Sequence, residues 1–153
     1  MEEDEYKSSY NELASVRCVF EKALTSHKAA CSLSNHFCLA DREGYSCEDS
    51  ASSLKCHQFL ELLRENSLFS LKLKDINGPL PHNMEIRVQV GGVSGLAKVF
   101  DKSLANQTGG VKVDDIQSVL KQAVNDFGSL ADLPYSQIIQ SIVQYQGRRK
   151  RQR

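Results

Sequence analysis

The 153-residue chain has the length of one ordinary domain and can bury a core of its own. Apolar residues make up 41% of it and charged residues 25%, which is typical of a soluble globular protein. Lys and Arg together number 19, as do Asp and Glu, so net charge gives no general argument for binding nucleic acid or an anionic membrane.

The charges are nevertheless uneven along the chain. Four of the first five residues are acidic, and five of the last six are Lys or Arg. No basic segment followed by an apolar run opens the sequence, and no apolar stretch approaches the roughly 18–20 residues that a membrane span needs. We therefore expect a cytoplasmic protein with a disordered acidic start (1–8), a single helical domain (9–147) and a basic tail (148–153).

The first helical pattern begins near Ser9. Its apolar residues recur at steps of three and four and share one face: Tyr10, Leu13, Val16, Phe20 and Leu24. On the same helix Cys18 would point well away from that face. Cys18 is therefore not expected to belong to the core.

Residues 26–50 have little periodicity and contain Cys31, Cys38 and Cys47. A long segment without a pattern is unusual inside a domain unless it is functional or disordered, and a bound metal would order it. A second helix is predicted from Ser53 to about Asn66, with Ser52 or Ser53 as its N-cap. Cys56 would lie on the buried face of that helix.

The segment 84–100 has an ambiguous pattern. Its first half alternates as a strand does, but wrapped as a helix it presents two apolar faces with glycines that would allow close packing. We favour a helix because the segments around it are helical. Asp114 and Gln117 form a possible capping box for a further helix that ends at Gly128.

A last helix is predicted to open at Pro134 and Ser136. The whole pattern predicts an all-α domain of four or five packed helices with a cysteine-containing N-terminal loop.

All five cysteines lie between Cys18 and Cys56. Clustered thiols in a reducing compartment more often bind metal than form disulfides, and an odd number argues against a closed disulfide framework. Thiolates suit zinc or iron–sulfur clusters. The preferred ligand set is Cys18, Cys31, Cys47 and Cys56, with Cys38 as a spare and His27 or His36 as an exchangeable ligand.

The spacing does not match a known metal motif, because no pair has the CxxC spacing of zinc ribbons or ferredoxins. Wide spacing fits an iron–sulfur cluster slightly better than zinc. Two alternatives remain: unliganded structural thiols, and a redox-sensitive or reactive thiol.

No catalytic motif stands out, so an enzyme is the less favoured class. The glycines at 91, 92 and 95 lack the spacing of a nucleotide-binding loop and indicate a turn or close packing. Asp114 and Asp115 are interpreted as capping residues. The tail 148–153 could contact RNA, an acidic protein or an anionic lipid surface, which makes a helical adaptor that binds a protein or RNA partner the alternative function.

Several short stretches resemble a group of small uncharacterised bacterial proteins. They are the residues around Cys18 and Cys31, the stretch from Cys56 to Arg64, the Pro79–His82 segment, the stretch from Gln89 to Leu96, and the ending from Pro134. The resemblance implies that Cys18, Cys31 and Cys56 belong to a shared pattern, whereas Cys38 and Cys47 lie in a loop that looks variable. It implies no activity.

Overall fold

The computed structural model describes residues 3–5, 7–8, 16–72, 80–104 and 111–145. After short helical stretches at 3–5 and 7–8, the elements in chain order are α1 (Glu21–Thr25), β1 (Ser34–Leu39), β2 (Arg42–Cys47), α2 (Ser50–Ser67), α3 (His82–Phe100), α4 (Ile116–Phe127) and α5 (Tyr135–Gln144). Two 3-10 turns lie at Lys102–Leu104 and Leu130–Asp132.

The helix α3 forms the centre of the fold, since every residue from Val88 to Leu96 is buried. A Cβ atom on Gly91 would stand 2.6 Å from the Ile142 Cα of α5, and one on Gly95 would stand 2.5 Å from the Ile138 carbonyl oxygen. The missing side chains therefore let α5 approach α3 closely. The prediction of a helix with close-packing glycines at 84–100 is confirmed.

Two aspartates begin the helices that flank the centre. The Asp49 carboxylate accepts the Ala51 N–H at 3.3 Å and caps α2, and the Asp115 carboxylate accepts the Gln117 N–H at 3.2 Å and caps α4. The predicted N-cap of the second helix, Ser52 or Ser53, was therefore wrong, as was the capping box that begins at Asp114, whereas the interpretation of Asp115 as a capping residue is confirmed. Gly128, with φ of 90°, ends α4 as predicted.

The predicted all-α class is wrong, because residues 34–47 form a two-stranded antiparallel hairpin. Ser34 pairs with Cys47 and Leu39 with Arg42, which leaves Ala40 and Asp41 as a two-residue loop. Both loop residues have positive φ, the geometry that matches a tight turn to the twist of the strands. Neither glycine nor asparagine, which usually mark such a turn, occurs in it, so this hairpin is hard to predict from the sequence.

Two further pairings between extended segments join distant parts of the chain. Residues 16–18 run antiparallel to β2, with the Cys18 N–H donating to the Tyr45 carbonyl at 3.0 Å and the Cys47 N–H to the Val16 carbonyl at 2.8 Å. Ala29 forms a parallel bridge with Val113. The first pairing contradicts the helix predicted through Val16 and Cys18; residues 9–15 of that helix lie outside the described residues.

None of the described helices combines the length and the apolar character that crossing a membrane requires. The basic tail at 148–153 lies outside the described residues.

Candidate metal centre

Four of the five cysteines line one small cavity between the hairpin, α2 and the start of α4. They are Cys18, Cys31, Cys47 and Cys56, the four that the sequence suggested as ligands. The cavity has a volume of about 20 Å³, enough for roughly one water molecule or ion. Its other walls are formed by Val19, Phe20, Ser34, Ser46, Ser53, Ile116 and Gln117.

The pairing between residues 16–18 and β2 brings Cys18 and Cys47 together. Arg17 stands opposite Ser46 in this antiparallel pairing. Side chains alternate between the two faces of a strand, so Cys18 and Cys47, each one position away, fall on the same face. Cys18 therefore reaches the cavity from an extended segment. The prediction that it lies on a helix was wrong.

Cys31 and Cys56 approach the cavity from the other elements. Cys31 follows Ala30, whose N–H donates to the Val113 carbonyl at 2.9 Å, so its position is fixed by the segment that leads into α4. Cys56 lies on the buried face of α2 and is 8% exposed. The four thiols thus come from four separate parts of the fold.

The fifth cysteine and the candidate histidines do not line the cavity. Cys38 is exposed and lies four residues from Ser34 along β1, a distance of about 13 Å at the rise of a strand. His36 packs against the ring of Tyr45 with centroids 4.9 Å apart, and His27 is exposed. Neither histidine therefore joins the thiols as the predicted exchangeable ligand.

Burial favours the protonated form of three of the cavity thiols, because it raises the pKa of each. It raises the pKa of Cys18 and the pKa of Cys56 to about 12 each, and it also raises the pKa of Cys31. The neighbouring thiols add to the effect, because Cys31 and Cys47 each raise the pKa of both Cys18 and Cys56. The four groups are therefore close enough for the charge on one to influence the others.

Hydrogen-bond donors point at three of the sulfur atoms. The backbone N–H of Phe20 lowers the pKa of Cys18 against the larger effect of burial, and those of Leu33 and Gln117 do the same for Cys31. The Gln117 side-chain amide donates to the Cys56 Sγ at 3.2 Å. Such donors stabilise a thiolate more than a thiol.

Gln117 is a site residue that the sequence reasoning missed, since it was interpreted only as part of a capping box. It is 5% exposed and lies between Ile116 and Leu120 on the buried face of α4. The sequence did contain a sign of this role, because the helical period assigns position 117 to the core and a polar residue stands there.

In the ranges that the structure describes, no three His, Cys, Asp or Glu side chains are grouped so that they could hold a metal ion as they stand. The thiols share a cavity without forming a closed ligand shell.

No family model, curated protein or solved structure matches the chain. The resemblance to a group of small bacterial proteins is therefore still a prediction.

Proposed function

We propose that this is a cysteine-ligated metal-binding protein in which Cys18, Cys31, Cys47 and Cys56 hold a single soft metal ion, with zinc as the best candidate. The observation that carries the proposal is the shared cavity: four thiols from four parts of the fold line it, and the fifth is exposed elsewhere. Cys56 belongs to the hydrophobic core and Cys18 and Cys31 pack against it, and what distinguishes the group is that all four thiols line the same cavity.

The donor set supports zinc. Four thiolates complete the tetrahedral shell of a structural zinc site, at Zn–S distances of about 2.3 Å. The N–H groups of Phe20 and Leu33 and the amide of Gln117 would act as the outer shell that orients such ligands and stabilises their charge.

The size of the cavity favours one ion over a cluster. A volume of about 20 Å³ has room for roughly one water-sized particle. A cluster of four iron and four sulfide atoms would require the apolar walls at Val19, Phe20 and Ile116 to move outwards. The preference for an iron–sulfur cluster that came from the wide sequence spacing is therefore reversed in this proposal.

Binding would require two changes in the cavity. The thiols would lose their protons, as metal ligands do, and would turn about their Cα–Cβ bonds towards the ion. A reducing compartment such as the cytosol would keep them available for this. Because four protein ligands leave no open position for a substrate, the ion would join parts of the chain or sense metal supply, and it would not catalyse a reaction.

The test is metal and acid-labile sulfide analysis of protein purified without oxygen, for the wild type and for Ser variants at each cysteine. We expect one zinc per chain in the wild type and in Cys38→Ser, and a clear loss in each variant of the four cavity cysteines. Circular dichroism would show that each variant is folded.

Two results would contradict the proposal. If the analysis found iron and sulfide in equal amounts, the protein would bind an iron–sulfur cluster and not a single zinc ion. A folded wild-type protein without metal, with five thiols that react freely, would remove the metal site altogether.

A further inference from the structure

The outer edge of the hairpin is open in the part of the chain that the structure describes. The strand β2 lies between the segment 16–18 and β1, so β1 is the last strand on its side. All six of its residues, Ser34–Leu39, pair with β2 without a bulge. An edge of this kind presents unpaired N–H and C=O groups with which another strand can pair.

The hydrogen bonds of β2 show which of its residues face β1. The Tyr45 carbonyl and the Cys47 N–H bond to residues 16–18, on the side away from β1. Backbone groups of an antiparallel strand point alternately to its two sides. Gly44 and its register partner Phe37 therefore point towards each other, inside the hairpin.

By the same alternation, His36 and Cys38 direct their N–H and C=O groups away from β2 and towards the open edge. The Leu33 carbonyl agrees with this pattern, since it lies an even number of residues from Phe37 and accepts the Glu48 N–H at 2.9 Å. Both His36 and Cys38 are exposed, and neither N–H has an acceptor in the described ranges. The edge thus offers two donors and two acceptors.

The sequence of β1 contains none of the features that usually protect an open edge. Natural edge strands are blocked by lysine, by proline or by a bulge, and the residues Ser34–Leu39 include no Lys, Arg, Asp, Glu or Pro. A strand without such charges can pair with its own copy, because no like charges come to lie opposite each other. This lack of charge favours a second copy of the chain as the partner.

The edge is also self-complementary. In the antiparallel register that places Phe37 opposite Phe37 of a second copy, His36 of each chain exchanges both backbone hydrogen bonds with Cys38 of the other. All the outward N–H groups of the two residues then find an acceptor, and the two chains are related by a two-fold axis. We propose that the protein forms a dimer by antiparallel pairing of β1 with β1 of a second copy. This inference goes beyond the metal site and does not depend on it.

The dimer is expected to be weak. Pairing of one six-residue strand buries less surface than the roughly 1,200 Å² at the lower limit of stable interfaces. We expect a dissociation constant of about 0.1–1 mM.

The first test follows the wild-type protein from about 10 μM to about 1 mM, with a reducing agent present to prevent disulfides between chains. Sedimentation velocity measures the dimer, and NMR measures amide hydrogen exchange. At 1 mM we expect the exchange of the His36 and Cys38 amides to slow by about two- to fivefold, in proportion to the dimer formed. The Phe37 amide, which points into the hairpin, should not respond to concentration.

The second test removes one outward donor. Cys38→Pro deletes an N–H that the hairpin does not use, and proline is tolerated where the N–H of an edge strand faces solvent. Cys38→Ser is the matched control, because it keeps the N–H. We expect Cys38→Pro to weaken the dimer at least about tenfold, since each chain loses one hydrogen bond, and Cys38→Ser to associate as the wild type does.

Three results would overturn the proposal. One is a wild-type chain that remains monomeric at about 1 mM, which would leave an extended segment of another protein as the occupant to test. Another is a dimer in which the His36 and Cys38 amides exchange as fast as in dilute protein, because the contact would then lie elsewhere. The third is equal association of folded Cys38→Pro and Cys38→Ser. The first two results need no variant, so they decide the question even if Cys38→Pro does not fold.

Discussion

At the scale of single residues, the cysteines divide by where the backbone places them. The sequence suggested the four that line the cavity, and their role as ligands is still a prediction. The reason given for Cys18 was nevertheless wrong, since it assumed a helix where the chain is extended. The crowding of cysteines between Cys18 and Cys56 indicated a cluster of thiols, but the strand pairing that brings Cys18 and Cys47 together is not encoded in any local pattern.

Thiol reactivity should follow this division. Without metal we expect Cys38 to be alkylated first and Cys18 and Cys56 last, because the thiolate is the nucleophile and burial raises the pKa of both cavity thiols to about 12. Mass spectrometry of iodoacetamide-treated samples over time measures the order. Added zinc should slow the alkylation of the four cavity thiols and leave the alkylation rate of Cys38 unchanged. Equal protection of Cys38 would contradict the assignment of the four cavity cysteines as the ligands.

Gln117 should affect metal affinity without being a ligand. Gln117→Leu removes the amide that donates to Cys56 and keeps a side chain of similar size in a buried position. We expect zinc affinity to fall by about 10–100-fold, the usual effect of losing an outer-shell partner. Competition with a chelator measures it, and Gln122→Leu, on the exposed side of the same helix, should have no effect.

At the scale of elements, Asp115 connects two parts of the site. Its carboxylate caps α4 through the Gln117 N–H and also accepts the N–H of Ser32, next to Cys31, at 3.0 Å. Partial burial would raise the pKa of Asp115, but the donors from Ser32, Ser118 and Gln117 outweigh it and hold that pKa below the usual value. The ionised form is therefore the one that the fold favours.

Replacing this carboxylate should destabilise the protein in a pH-dependent way. Asp115→Ala should lower the free energy of unfolding by about 1 kcal/mol, the usual value of an N-cap. A depressed pKa stabilises the fold above the ordinary aspartate pKa, and this contribution is lost as the pH falls through the folded-state value. In urea unfolding, the difference in the free energy of unfolding between Asp115→Ala and the wild type should thus become smaller below about pH 4.

The neighbouring Asp114 provides the matched control for this prediction. It is exposed and does not cap the helix, so Asp114→Ala should leave the free energy of unfolding nearly unchanged. A larger loss for Asp114→Ala than for Asp115→Ala would show that the cap is assigned to the wrong residue.

The contact between α3 and α5 should not tolerate a methyl group. Gly95→Ala would place a Cβ 2.5 Å from the backbone oxygen of Ile138, so we expect a loss of about 1–3 kcal/mol although alanine favours helices. In Gly92→Ala the obstacle is the side chain of Leu63, which can move, and the loss should be smaller. Urea denaturation compares the two, and a more stable Gly95→Ala would contradict the packing described.

At the scale of the whole molecule, the sequence predicted the helices better than the connections between them. The helical periods predicted α2, α4 and α5 to within a few residues, since each buries one regular face. The pattern of α3, which is buried on all sides, was ambiguous, and the helices around it decided the assignment. The hairpin was missed because its loop is Ala40–Asp41 and its strands bury few side chains. The pairing of Ala29 with Val113 joins positions far apart in sequence, which no local pattern encodes.

If the four thiols bind zinc, the metal should stabilise the whole fold. A ligand that binds only the folded state raises stability in proportion to the logarithm of its concentration. We expect zinc to raise the melting temperature of the wild type and of Cys38→Ser, and a chelator to reverse the effect. Cys31→Ser and Cys47→Ser should show no such rise; a rise in all four proteins would indicate binding elsewhere.

The attachment of residues 16–18 to β2 has a consequence for proteolysis. Two backbone hydrogen bonds hold this segment, and the Arg17 side chain is two-thirds exposed at 66%. A metal bound to Cys18 would add a further attachment next to the peptide bond that trypsin cleaves after Arg17. Removing the metal should then let the segment detach more often and speed cleavage there, so that digestion at one bond reports whether the site is filled.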